Sequence, residues 1–328
     1  MSQIFPKPSP LTDDSQLSWQ QQSFAWFYSL WKFSRPHTII GTTMSVMGMS
    51  AIAIAASGAS INDSLAQILG SWLACLCGNV YIVGLNQLED IEIDQINKPH
   101  LPLAAGEFSR QQGQTIVAIT GILALVLAGL MGPFLLGMVS ISLAIGTAYS
   151  LPPIRLKRFP FWAALCIFSV RGAIVNLGLF LHFSQKLPNP GNFGIIPQII
   201  PEVWALTLFV LVFTFAIAIF KDIPDIEGDR QYNITTFTIQ LGTLAVFKLT
   251  RWVLTVCYLG MILAGAVYLP SVNPVFLVST HLIALILIWW RSTSVNLQEK
   301  SAIAQFYQFI WKLFFLEYFI FPIACLLG

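Results

Sequence analysis

Two acidic stretches carry most of the chemistry this chain can perform. The first reads NQLEDIEID and supplies Asn86, Asp90 and Asp94; the second reads KDIPDIEGD and supplies Lys221, Asp222, Asp225 and Asp229. Eight of the fifteen acidic residues fall here: Glu89, Asp90, Glu92, Asp94, Asp222, Asp225, Glu227 and Asp229. Asn86, Asp90 and Asp94 are spaced four apart, so a helix running on to Pro99 stacks all three on one face. Asp225 and Asp229 repeat the spacing, with Asp222 one turn earlier. Carboxylates ~6 Å apart repel by roughly 3 kcal/mol at an effective dielectric near 20. Two such rows facing each other stay ionised only with cations between them; protonation through raised pKa values is the alternative.

Oxygen donors with no Cys or His beside them favour a hard ion, Mg²⁺ or Ca²⁺. His37, His100, His182 and His281 are scattered and offer no zinc pattern. Mg²⁺ ordinarily takes one or two carboxylates plus phosphate oxygens of a substrate. Arg35, Lys98, Arg155, Lys157, Arg158 and Lys221 flank the acids, and carboxylates ringed by cations suit a diphosphate. A single D-x-x-x-D is ordinarily a solvated helix end, and Lys157 and Arg158 alone would be ordinary rim charges. The pair of acidic rows, each beside basic residues, carries the functional reading.

The elements that must hold these residues are membrane helices. The chain has 328 residues, is 56% hydrophobic and only 10% charged, and has a mean hydropathy of +0.72. Runs of about 20 apolar residues suffice to cross a bilayer. Nine are expected, near 38–56, 65–85, 114–131, 134–151, 161–183, 203–220, 252–269, 274–290 and 306–327. Helices satisfy their own backbone in lipid, so the fold class is an all-α integral membrane bundle. A diphosphate at its mouth implies a lipid tail inside it, in a central cavity. Spans 3 and 4 are joined by little more than Gly132-Pro133, and spans 1–4 and 5–8 read as related halves.

Fourteen basic residues fall in the tail or after even-numbered spans: Lys7, Lys32, Arg35, Lys98, Arg110, Arg155, Lys157, Arg158, Lys221, Arg230, Lys248, Arg251, Arg291 and Lys300. Lys186 alone falls on the other side. The positive-inside rule puts the N-terminus and both acidic stretches on the cytoplasmic side. Residues 1–16 read as a polar tail without transit- or signal-peptide character. Residues 17–33, rich in Trp, Phe and Tyr, read as an interfacial helix. The longest outer loop, about 184–202, carries Pro188, Pro190, Pro197 and Pro201. Domain boundaries follow: 1–33 for tail and interfacial helix, 34–328 for the transmembrane domain.

Arg171 sits in the middle of span 5, where a charge costs on the order of 2.5–3.5 kcal/mol, so it must face the interior. It either pairs with carbonyls or a polar side chain such as Asn176, or binds an anionic group of a second substrate. Lys312 and Glu317, five apart in span 9, do not share a face and read as structural. Cys75, Cys77, Cys166, Cys257 and Cys325 lie in apolar spans and read as packing residues. Basic residues spread along one rim, with a net charge of +2, give no nucleic-acid surface.

The two acidic motifs, their placement after spans 2 and 6, and the nine-span count resemble the UbiA superfamily of intramembrane aromatic prenyltransferases. WKFSRPHTIIGTT, GNVYIVGLNQLEDIEIDQINKPHLPLAAGE, GTAYSLPPIRLKR, VRGAIVNLG, FKDIPDIEGDR and FYQFIWKLFFLEY are similar to the homogentisate-prenylating branch. The resemblance implies a Mg²⁺-dependent transfer from phytyl diphosphate to homogentisate, with loss of CO₂, in tocopherol (vitamin E) synthesis. It implies a cyanobacterial thylakoid or plasma membrane, with membrane lipid as surroundings. It also implies that Asn86, Asp90, Asp94, Asp222, Asp225 and Asp229 form the catalytic acidic set, with Asp90, Asp94, Asp225 and Asp229 on the metal. Arg35, Lys98, Lys157, Arg158 and Lys221 are then the diphosphate cations, and Arg155 and Arg171 candidates for the acceptor. Sister enzymes with another donor or acceptor, such as chlorophyll synthase or homogentisate solanesyltransferase, share the motifs. A cation transporter is the rival from another class, but transport favours acids at the midplane of broken helices.

Overall fold

The computed structural model describes residues 19–187, 198–231 and 235–328. The expected tail over 1–16 and the loop prolines Pro188, Pro190 and Pro197 lie outside the described residues.

Helix α1 (Trp19–Phe33) precedes α2 (Pro36–Ser57) and α3 (Ile61–Glu89). After the short α4 (Ile91–Asn97) come α5 (Arg110–Met131) and α6 (Pro133–Ser150). Helices α7 (Pro160–Phe168) and α8 (Val175–Lys186) are joined by a π-helical turn, Ser169–Ile174, into one span. Helix α9 (Pro201–Phe220) leads through α10 (Ile226–Gln231) and α11 (Phe237–Leu241) to α12 (Thr243–Val267), α13 (Pro274–Thr293) and α14 (Lys300–Leu326). Among the described residues nine spans are long and apolar enough to cross a membrane: α2, α3, α5, α6, α7–α8, α9, α12, α13 and α14. This all-α membrane bundle has the expected span count.

Local sequence sets most boundaries. Pro36, Pro133, Pro160, Pro201 and Pro274 open five helices at positions where a missing N–H costs nothing. Ser109 and Gln112 form a reciprocal capping box at the start of α5. Gly132, at φ +146°, makes the turn between α5 and α6. Several spans begin earlier than expected, most of all the seventh, at Thr243 rather than 252, and the ninth, at Lys300 rather than 306. The added turns of the seventh span carry Lys248 and Arg251, and Arg251 stacks its guanidinium on Trp289 at 4.4 Å.

Helix α3 packs most extensively on α5, and α9 on α12, while α14 lies against α2, α9 and α13 and so joins the last span to the first. Helix α1 exposes Phe24, Phe27, Tyr28 and Trp31, as an interfacial helix does. Its other side is tied down: Lys32 and Ser29 bond Glu107, and Gln87 Nε2 donates to Phe33 O at 2.7 Å. In the bundle core, His281 of α13 meets Glu317 of α14 at 3.2 Å, both essentially fully buried. Glu317 is therefore paired, whereas Lys312 is exposed.

Candidate active site

The first acidic stretch is not one continuous helix. Helix α3 stops at Glu89, Asp90 takes φ −120° and ψ 19°, and α4 starts afresh at Ile91. The expected single stacked row is thus corrected to two pieces hinged at Asp90. Tertiary bonds account for the break. Arg155 Nη2 donates to Glu89 O at 3.3 Å, satisfying a carbonyl at the helix end, and to Asp90 Oδ1 at 3.0 Å. Lys157 Nζ donates to Asp90 Oδ2 at 2.5 Å, and Asn86 Nδ2 donates to the same oxygen at 3.0 Å. Arg35 Nη2 donates to Asn86 Oδ1 at 3.3 Å and lies 3.8 Å from Asp94 Oδ2.

Arg35 and Arg155 share a further property. They are the non-glycine residues with positive φ among those described, at 52° and 40°. A left-handed backbone costs an L-residue roughly 1–2 kcal/mol. Both arginines carry that strain while aiming at the first acidic stretch, a pattern common at functional sites.

The second stretch is likewise interrupted: α9 ends at Phe220, residues 221–225 turn, and α10 carries Asp229. Lys221 Nζ donates to Asp222 Oδ1 at 2.6 Å. Two bonds then join the stretches across more than a hundred residues. Lys98 Nζ donates to Asp225 Oδ2 at 2.5 Å, and the Gly228 N–H donates to Asn97 Oδ1 at 3.0 Å. Helices α4 and α10 pack against each other, so both acidic motifs lie on one face of the bundle. Arg158 does not join them; it is exposed and forms no ion pair among the described residues.

Burial shapes the charge here. It raises Asp94 above the ordinary carboxylate range against the opposing pull of Arg35 and Lys98. It raises Asp222 against Lys221, and pushes Asp229 up to about 7. Burial also lowers the Lys157 ammonium, with Asp90 opposing. Among the described residues no three carboxylates close on one point, because ammonium and guanidinium groups take up Asp90 and Asp225. The donor set nonetheless fits a hard cation. Asp94 Oδ2 is buried without a hydrogen-bond partner, and burial works against the charge on Asp94, Asp222 and Asp229. A divalent ion with phosphate oxygens would relieve both conditions.

A line of aromatic rings leads from the second stretch to Arg171. Phe220 stacks on Tyr307 at 5.8 Å, Tyr307 touches Trp311 at 6.3 Å, and Trp311 meets His37 at 5.0 Å. The Arg171 guanidinium lies over Trp311 at 5.4 Å and Phe314 at 5.7 Å. Arg171 occupies the π-helical turn, and Gly172 lets that turn sit against α9, where a Cβ would come 2.6 Å from Leu211 Cα. No carboxylate pairs with Arg171 among the described residues. Asn176 is not its partner either, since it accepts from Tyr318 Oη at 2.8 Å.

Sequence reasoning missed His37, Asn97, Gly228, Tyr307 and Trp311. Tyr307 and Trp311 are four apart on one face of α14, a spacing that packing alone would also produce. Asn97 and Gly228 leave no signal in a linear sequence.

Within the described residues, two aspartate motifs thus meet among cations at one face of an intramembrane helical bundle. Residues 43–313 match the UbiA prenyltransferase family. The chain is 56% identical over 298 residues to the homogentisate phytyltransferase of Synechocystis sp., covering 90% of this chain and 95% of that one. It is 40% identical to the chloroplastic homogentisate solanesyltransferase of Arabidopsis thaliana, over 89% of this chain and 75% of that one. Among solved structures, a UbiA homologue from Archaeoglobus fulgidus bound to GPP and Mg²⁺ superposes with a TM-score of 0.59 at 14% identity, covering 92% and 100% of the two chains. The chain belongs to the UbiA prenyltransferase family, and it is an integral membrane prenyltransferase.

Proposed function

We propose that the chain transfers the phytyl group of phytyl diphosphate to homogentisate, giving 2-methyl-6-phytyl-1,4-benzoquinol, CO₂ and diphosphate, the prenylation step of tocopherol synthesis. The observation that carries this reading is the joining of the two aspartate motifs through Lys98 and Asp225, taken with the 56% identity to a homogentisate phytyltransferase.

Asp90, Asp94, Asp225 and Asp229 are the residues that would hold Mg²⁺, with Asn86 and Asp222 supporting them. Bound there, Mg²⁺ would supply the positive charge needed to neutralise a departing diphosphate. Arg35, Lys98, Lys157 and Lys221 direct cationic donors at the same group. The allylic C–O bond breaks as these donors take up the leaving oxygen. Phe220, Tyr307 and Trp311 supply apolar wall that excludes the water that would capture the allylic cation. Homogentisate is anionic, and Arg171 receives its carboxylate, with Arg155 the second candidate. The electron-rich ring carbon forms the new C–C bond. The displaced ring proton is balanced by the proton that the methylene gains as CO₂ leaves.

The acidic face is assigned to the cytoplasmic side, in a thylakoid or plasma membrane. The deciding experiment is product analysis of membranes containing the chain, given phytyl diphosphate, homogentisate and Mg²⁺. Formation of the phytylated quinol is the expected result. The 40% identity to a solanesyltransferase favours one second reading, the same acceptor with a longer donor. Product from solanesyl but not phytyl diphosphate would replace the first reading with it.

A further inference from the structure

The outward face of α14 changes character along its length. Gln305, Gln308 and Lys312 follow one another at helical spacing, and the same face continues as Leu316, Phe319 and Ile323. The last three are 44%, 51% and 41% exposed, so this face looks out of the bundle. Lys312 is exposed too, and no carboxylate pairs with it among the described residues. It stands twelve residues beyond Lys300, about 18 Å along the axis at ~1.5 Å per residue. A cation on the lipid side of a span is unfavourable unless it reaches headgroup level or meets an anion there.

Lys312 has such a setting. Arg291, exposed in the last turn of α13, lines one open groove of about 420 Å³ with Ala304, Gln305, Gln308, Phe309 and Lys312. The groove holds two cations, two amides and no carboxylate. Trp290 and Trp252, both largely exposed, mark the depth at which aromatic rings meet headgroups. The ion pair between Lys300 and Glu227, at 2.6 Å, puts this end of α14 on the face that carries the aspartates.

We propose that this groove binds the headgroup of an anionic membrane lipid. Arg291 and Lys312 hold its phosphate or sulfonate, Gln305 and Gln308 donate amide N–H groups to it, and its acyl chains lie along Leu316, Phe319 and Ile323. The charge pattern selects an anionic over a zwitterionic headgroup, and the polar-to-apolar order along α14 selects a lipid over a free anion.

The test is native mass spectrometry of the full chain in nanodiscs containing phosphatidylglycerol and phosphatidylcholine, comparing it with the double variant Arg291→Gln/Lys312→Gln. Retained phosphatidylglycerol is expected to fall roughly thirtyfold in the variant, from about 1 kcal/mol for each cation, with phosphatidylcholine unchanged. Equal retention of phosphatidylglycerol by both proteins, or equal retention of the two lipids by the parent, overturns the site. Displacement of the bound lipid by millimolar inorganic phosphate alone also overturns it, making the groove a free-anion site. Lys312→Leu provides a folding control: it removes only a lipid-facing charge, must still insert, and should lower the adduct about fivefold.

Discussion

Asn97 accepts the backbone N–H of Gly228 through its side-chain oxygen at 3.0 Å, and the two residues lie 131 positions apart. This bond clasps α4 to α10, the helices that carry Asp94 and Asp229. A Cβ at position 228 would come 2.4 Å from Asn97 Oδ1, closer than any stable contact. Gly228→Ala is therefore expected to part the two acidic motifs and lower turnover by about tenfold or more, the scale of a misplaced catalytic group. Gly228→Ala combined with Asn97→Ala removes the clash and should recover part of that loss in the same assay. Full activity in Gly228→Ala would show that the clasp does not position the site.

Asp90 and Asp229 come from different motifs, yet they serve one centre in the proposed mechanism. Alanine at either position is expected to cost on the order of hundredfold in turnover or more, with the protein still inserted in the membrane. Chelation with EDTA should stop the reaction and added Mg²⁺ restore it. Near-normal rates in both variants, measured with Mg²⁺ present, would remove the metal assignment.

Lys98 bridges to Asp225 at 2.5 Å across 127 residues, and the Asp225 side chain is more buried than that of Lys98, at 15% against 31% exposure. Lys98→Met leaves Asp225 without its partner and removes a cation from the proposed diphosphate site. The KM for phytyl diphosphate should rise by about tenfold, from the loss of one charge-assisted hydrogen bond. The KM for homogentisate should stay close to its original value. A change confined to homogentisate would contradict the assignment.

The reverse pattern is expected at Arg171. Arg171→Gln should raise the KM for homogentisate with little change for phytyl diphosphate. Gly41 sits one turn beyond His37, and a Cβ there would come 2.6 Å from Arg171 Nη1. Gly41→Ala should push the guanidinium aside and shift the same constant in the same direction, by less. Equal effects of Arg171→Gln on both substrates would indicate a structural role.

His281 and Glu317 face each other at 3.2 Å in the membrane core, at 0% and 1% side-chain exposure. His281 Nδ1 donates to Leu277 O at 2.8 Å, which turns Nε2 toward the carboxylate. Breaking a buried pair by removing one partner typically costs about 3–5 kcal/mol. Glu317→Ala should therefore lower the thermal midpoint in detergent markedly, whereas replacing both residues by apolar ones of similar volume should recover much of it. A single variant as stable as the parent would show that the pair contributes nothing to the bundle.

Much of this protein is legible in the linear chain, because lipid imposes simple rules. Backbone groups in hydrocarbon must bond internally, so long apolar runs become helices, and prolines and capping residues mark where they begin. The concentration of aspartates in two stretches among few other charges marks the site before any fold is known. How those aspartates are used follows instead from the packing of the helices. Asp90 lies at a helix break because Arg155 and Lys157 reach it from sixty-five and sixty-seven residues away. Lys98 belongs to Asp225 rather than to its own motif, Arg158 points outward, and Arg171 rests on rings from α14. Each of these outcomes depends on distances between side chains that are far apart in sequence. Spacing rules describe one helix at a time, whereas partner choice in a buried charge cluster follows from which helices pack together.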